Sequence, residues 1–297
     1  MNPLDWYVRT IENDSCEDLI EMQNTAQKRQ NEPDDDEKTV HPATPVGGPQ
    51  SGFSSLGAGG GGSFISTKRD VELVASGFEI IAAWDISLVG LGTNNSTVCD
   101  DCHGIDISQN NIEIRSISGS VSINGESAAA PLISGKHNDG VRLSSTSATL
   151  IRGNAVNIVG FAHNARDGQS RGVELLSGSV IQIDSAGQVN IQGTAGNGTD
   201  TDNLGANVGL FILSENFFGI DNATSVLLEG FGGASDGRGD NVGVSVTSRT
   251  GHLRASDVVV TGVGGASRWN GGNHGTFLQF TNGFNWDSSA TAIYGMS

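Results

Sequence analysis

Basic residues are scarce in this chain: 16 Lys and Arg stand against 33 Asp and Glu in 297 residues, a formal net charge of −17. That balance argues against nucleic acid and anionic membrane surfaces as partners, because phosphate binding needs clustered Lys and Arg and no such cluster occurs. Long apolar runs are missing too, and without 18 consecutive apolar residues no segment reads as a membrane-spanning helix. The first residues have neither a basic n-region nor an apolar h-region, so they do not read as a secretory signal. No nucleophile elbow, phosphate-binding loop or zinc-protease helix motif is present. Aromatic residues make up only 6% of the chain and apolar residues 36%, modest content for one elongated domain.

Glycine is plentiful, with 43 residues, and it is periodic. A unit of roughly 34 residues recurs seven times between Asp70 and the C-terminus. Each unit opens with Gly-apolar-x-apolar at Gly104, Gly140, Gly172, Gly209, Gly243 and Gly275, with Asp70 in the equivalent place of the first unit. Each closes with apolar-x-apolar-x-Gly: Ile86 to Gly90, Val121 to Gly125, Val156 to Gly160, Val189 to Gly193, Val226 to Gly230, Val258 to Gly262 and Thr291 to Gly295.

Alternation of apolar and polar residues over four or five positions is the period of a half-buried strand, and the flanking Gly, Asn, Asp and Ser are turn formers. A weaker apolar pair between the two ends suggests a third strand: Ile112 and Ile114, Leu150 and Ile151, Ile181 and Ile183, Phe218 and Ile220, Phe284 and Trp286. In the sixth unit Gly251 is expected to break it. Three short strands per unit, none able to form a core alone, predict an all-β solenoid: a right-handed parallel β-helix of about seven coils. A β-propeller would carry four strands in about 40 to 50 residues per blade, and these units are shorter.

The same register assigns outward positions. On the opening strand they run Glu72, Asp106, Arg142, Glu174, Phe211, Ser245, Phe277, which stacks Arg142 between two carboxylates and Glu72 over Asp106. On the closing strand they include Ser87, Ser122, Asn157 and Asn190. Such polar columns predict a solvent-facing sheet.

Outside the repeat the composition changes. Residues 1–40 hold an acidic run, Glu32-Pro33-Asp34-Asp35-Asp36-Glu37, and read as a mostly disordered acidic segment. Residues 41–63 read as a Pro/Gly-rich linker and residues 64–297 as the repeat domain. The last unit closes at Gly295 without a polar cap, so self-association through the C-terminal coil is expected.

Three motifs carry chemistry. Cys99-Asp100-Asp101-Cys102-His103 has the spacing by which two thioethers and an imidazole hold a c-type haem. Yet His103 sits at the repeat position before the opening glycine, where Asp139, Arg171 and His274 stand in other units. A local disulfide or a pair of free thiols in a turn is the preferred reading of the cysteines, and Cys16 is left over. Asp200, Asp202, Asp236 and Asp240 lie in acidic loops of the kind that bind calcium, but these residues are also turn formers and their spacing differs between loops. The column Glu72, Asp106, Arg142 and Glu174 could serve a polysaccharide lyase or hydrolase as paired carboxylates beside a base. Its alternative is a solvated sheet face without catalysis, and that reading is preferred, with no cofactor required.

Segments such as Gly172-Val173-Glu174-Leu175, Val189 to Gly193 and Gly243-Val244-Ser245-Val246, separated by Gly, Asn, Thr and Ser loops, resemble the repeats of filamentous-haemagglutinin-like adhesins and giant bacterial surface exoproteins. The resemblance covers about residues 64–297 and rests on repeat texture. It implies a β-helical adhesin or stalk at the cell surface or outside the cell. Such a protein has no chemistry of its own and contacts a cell-surface or glycan ligand through loops and outward columns.

Overall fold

The computed structural model describes residues 62–66, 77–92, 103–128, 138–164, 170–198, 207–235, 240–267 and 273–297. The chain divides into two compact units, Met1–Gly52 and Phe53–Ser297. The first, with the acidic segment, lies outside the described residues, as do Asp70, Glu72, Cys99, Cys102, Asp200, Asp202 and Asp236.

The described residues of the second unit form strands and no helix. In chain order these are β1 (Gly62–Ser66), β2 (Phe78–Ala82), β3 (Ile86–Leu91), β4 (Ile105–Ser116), β5 (Val121–Glu126), β6 (Val141–Gly153), β7 (Val156–Phe161) and β8 (Arg171–Ser177). They continue as β9 (Val180–Ser185), β10 (Gln188–Thr194), β11 (Val208–Phe231), β12 (Val242–Val263), β13 (His274–Phe280), β14 (Phe284–Asp287) and β15 (Ala290–Met296). Every pairing between them is parallel, and the partners lie in successive units: a β-solenoid. β1 begins at Gly62, inside the stretch whose composition reads as linker, and pairs with β3. The opening strand recurs at six levels, starting at Ile105, Val141, Arg171, Val208, Val242 and His274, so about five turns separate the first from the last.

Each coil contributes three faces, and six apolar columns meet inside. On the opening face Ile107, Leu143, Leu175, Ile212, Val246 and Leu278 stack. On the middle face the column is Ile80, Ile114, Ile151, Ile183, Ile220, Leu253 and Trp286. On the closing face it is Leu88, Ile123, Ile158, Ile191, Leu228, Val260 and Ile293. Val189, Ile191, Val226, Leu228, Val258 and Val260 are all buried, as the period-2 pattern requires.

The middle strand departs from expectation twice. Its inward pair in the third unit is Thr149 and Ile151, not Leu150 and Ile151. Thr149 is buried because its hydroxyl donates to Ser145 Oγ at 3.0 Å. Gly251 does not break the strand in the sixth unit: it pairs with Phe218 on one side and Phe284 on the other. A Cβ there would press on the Phe284 ring and the Phe218 carbonyl, so the glycine gives up its own volume to two aromatic neighbours.

Corners are made by buried serines. Ser145, Ser177, Ser214 and Ser248 stack at the end of the opening face. Ser214 Oγ donates to Phe217 O at 2.7 Å, and Ser248 Oγ donates to Thr250 O at 2.9 Å, which satisfies carbonyls where the ladder bends.

The repeated glycines have a role that turn chemistry did not suggest. A Cβ on Gly125, Gly160, Gly193, Gly230 or Gly262 would collide with the carbonyl oxygen of Gly140, Gly172, Gly209, Gly243 or Gly275, in that order. Closing and opening glycines therefore touch backbone to backbone, and the loop between them leaves the solenoid through a pinched base.

Candidate functional site: the charged loop base

Six ionisable residues meet at the pinched corner in the first three levels of the opening face. His103, Asp139 and Arg171 occupy the position before the opening glycine, and Asp106, Arg142 and Glu174 the position two after it. Asp106, Arg142 and Glu174 are in register, as the repeat predicts. The columns lie side by side and alternate in sign both along and across the stack.

Arg142 sits between its two carboxylates, with Nη1 3.6 Å from Asp106 Oδ2 and Nε 3.0 Å from Glu174 Oε2. Arg171 pairs with the other Glu174 oxygen, and its guanidinium lies 4.2 Å over the Phe211 ring of the next level. Asp139 Oδ1 accepts the Arg171 N–H at 3.0 Å, and its Oδ2 lies 3.3 Å from His103 Nδ1. The Asp139 N–H donates to His103 Nδ1 at 3.1 Å, and His103 Nε2 lies 3.5 Å from Arg142 Nη1 and 3.9 Å from Asp106 Oδ2. Ser108 Oγ donates to Asp106 Oδ1 at 2.6 Å.

Burial corrects the expectation of a solvated face at Glu174, whereas Asp106 and Arg142 stay half-buried. Glu174 and His103 are each 1% exposed and Asp139 is 0% exposed. Desolvation by burial raises the Asp139 carboxyl from the ordinary aspartate range to about 7, against the pull of Arg171 and Arg142. Burial likewise lowers Arg171, against the attraction of Asp139. Both Glu174 oxygens face guanidinium groups, so this carboxylate is not open to a substrate.

Above this block the same positions change chemistry. The position before the glycine becomes Val208 and Val242, and the outward column continues as Phe211 and buried Ser245. The preceding position carries fully buried Asn207 and Asn241. Asn207 Nδ2 donates to Asn241 Oδ1 at 3.3 Å, and Asn241 Nδ2 donates to Asn273 Oδ1 at 3.4 Å. Asn207 Oδ1 also accepts the Ser170 N–H at 3.2 Å.

A second polar group lies on the middle face. Asp221 Oδ1 is 2.8 Å from His252 Nε2 and 3.2 Å from Arg254 Nη1, and Gln182 Nε2 donates to Oδ2 at 2.7 Å. Burial alone would raise the Asp221 pKa, but the hydrogen bonds from His252 and Gln182 and the nearby positive charges lower it.

Of the candidate residues, Asp106, Arg142, Glu174 and His103 are brought together, whereas Glu72 lies outside the described residues. The haem cysteines and three of the four calcium candidates lie there too; Asp240 is described and sits just before buried Asn241 at a loop base. Among the described residues no group of three or more His, Cys, Asp or Glu could hold a metal ion, and no helix is long and apolar enough to cross a membrane. Asp139 and Arg171 were missed as site residues. Their signal is in the sequence, since residues three apart, His103 and Asp106, Asp139 and Arg142, Arg171 and Glu174, pair basic with acidic in three consecutive units. The chain matches no protein-family model, no curated protein and no solved structure.

Proposed function

We propose that this is a non-catalytic repeat protein of the cell surface or exterior, an adhesin or stalk. Its solenoid carries ligand-contacting loops on one corner. The observation that carries this reading is the engagement of Glu174: at 1% exposure, with Arg142 on one oxygen and Arg171 on the other, the carboxylate best placed for acid or base chemistry is locked inside its own ion pairs. The block then serves to hold loop bases together. Seven right-handed coils, as the repeat spacing implies, complete the proposed architecture.

The test is a screen of acidic and neutral polysaccharides, with calcium present, for unsaturated products and new reducing ends. Binding without turnover is expected. Turnover that disappears in Asp106→Asn would instead establish the lyase or hydrolase alternative.

A further inference from the structure

Six arginines lie among the described residues, and their pairing is uneven. Arg142, Arg171 and Arg254 are held in ion pairs. Arg115 and Arg152 are in none, although they are direct partners on adjacent levels of the middle face. Strand levels are about 4.8 Å apart, so the two guanidinium stems stack with like charge, a destabilising arrangement in a sheet. The chain has twice as many acidic as basic residues, yet none of its described carboxylates closes on this pair. Glu113 lies two residues before Arg115 on the same face, opposite Leu150. Asp184 is the register partner of Arg152 on the next level, yet it makes no ion pair with it and instead accepts the Asn222 amide at 2.7 Å. The Nε of Arg152 is buried and has no hydrogen-bond partner.

The corner that follows these strands presents two large apolar side chains on adjacent levels. Trp84 is 57% exposed and Ile117 63% exposed. Their backbone is fixed: Ser116 Oγ donates to Trp84 O at 2.7 Å, the Gly119 N–H to Ser116 Oγ at 2.8 Å, and the Ser120 N–H to Asp85 Oδ1 at 2.6 Å. The Ile117 N–H donates to Ala82 O at 2.9 Å, which ties the two levels together. An exposed indole on a rigid corner is a platform for the flat face of a sugar ring. A stacked guanidinium pair offers parallel N–H donors to a carboxylate or sulfate.

We propose that Arg115, Arg152 and Trp84 form a binding site for an acidic polysaccharide, whose carboxylate or sulfate group bridges the arginines while a neighbouring ring packs on the indole. The site rests on the non-catalytic reading above and names its ligand class. Nucleic acid, the other common polyanion, is disfavoured by the large negative charge of the chain. At physiological salt the acidic remainder of the molecule is screened beyond about 8 Å, so the local arginine pair governs contact.

The experiment is calorimetric titration of the full chain at roughly 0.15 M salt with heparin oligosaccharides, oligogalacturonates, dextran and poly-glutamate. Heparin, oligogalacturonate or both should bind, the pattern separating sulfate from carboxylate. The R115Q/R152Q variant should weaken binding at least about tenfold, W84A should weaken it too, and R249Q, which removes an arginine outside the pair, should leave it unchanged. The melting temperature of R115Q/R152Q should hold or rise, since a repulsion is removed, whereas a structural role for the pair would lower it. Failure of both acidic polymers to bind, or unaltered binding by R115Q/R152Q, would overturn the site. Equal binding of dextran or poly-glutamate would overturn the ligand class. Turnover of either acidic polymer would overturn the non-catalytic reading while leaving the binding site in place.

Discussion

The lower and upper loop bases share one backbone geometry and differ in chemistry. In both, a closing and an opening glycine touch, and a loop leaves between them. Below, the position before the glycine and the outward column carry His103, Asp106, Asp139, Arg142, Arg171 and Glu174; above, they carry Val208, Phe211, Val242 and Ser245, while buried Asn138, Asn207 and Asn241 form an amide row common to both. The fold therefore requires only that the corner be filled and its polar groups satisfied. Charges meet that requirement at a desolvation cost that the uncharged groups avoid. Arg171, stacked on Phe211, is the seam between the two solutions.

The largest effect should be blind to this difference. Gly160→Val in the lower block and Gly230→Val in the upper block both drive a side chain into a backbone carbonyl. Each should abolish folding or cost more than about 5 kcal/mol, a loss reserved for such specific defects. Urea denaturation would measure this, and a large disparity between the two variants would mean that the pinch is not equivalent in the two blocks.

Removing one partner of the charged block should distinguish the regions. Glu174→Gln leaves two partly buried guanidiniums short of the carboxylate they share and should cost about 3 kcal/mol. Asn241→Leu strips hydrogen bonds from Ser235 Oγ and Ala266 O and should cost about 1 to 3 kcal/mol. Removing the enclosed charges together, with Arg171→Val, Glu174→Phe, Arg142→Leu and Asp139→Asn, should cost less than Glu174→Gln alone, because the one carboxylate that loses its arginine, Asp106, is partly exposed and keeps its hydrogen bond from Ser108. Thermal and urea melts of the three proteins rank these outcomes.

The smallest effect is a pH slope of opposite sign at two aspartates. The folded pKa of Asp139 is raised to about 7, so its contribution to stability is fully present below its ordinary pKa and is lost as pH rises through about 7. Asp221 has a lowered folded pKa, so its contribution is present above the ordinary aspartate pKa and is lost as pH falls through the lowered value. Asp139→Asn should flatten the decline in stability between about pH 4 and 7, and Asp221→Asn should flatten the loss at more acidic pH. Urea midpoints measured across pH 3 to 8 (roughly the span of these titrations) would show both, and an unchanged profile in Asp139→Asn would remove Asp139 as the titrating group.

Legibility in the sequence followed the length scale of the interaction. The column Asp106, Arg142, Glu174 could be read directly, because parallel stacking at a fixed period turns a spacing of one unit into a contact. Burial of Glu174 in that column could not be read, since it depends on how Arg171 and Arg142 close on it. Gly251 was misread for the same reason. Along the strand it looks like a break, and only its neighbours one level up and down, Phe218 and Phe284, explain why a side chain is absent.

The sequence by itself determined the all-β class, the parallel stacking of one unit on the next, the inward columns and the in-register charge ladder. All of these are consequences of a period of two along strands and of roughly 34 between coils. Only the tertiary structure decided that the glycines are points of backbone contact, that Glu174 of the charged column is enclosed, and that Arg115 and Arg152, partners in register, form no ion pair. Those outcomes depend on which side chains meet across corners and between levels, where distance along the chain carries no information about distance in space.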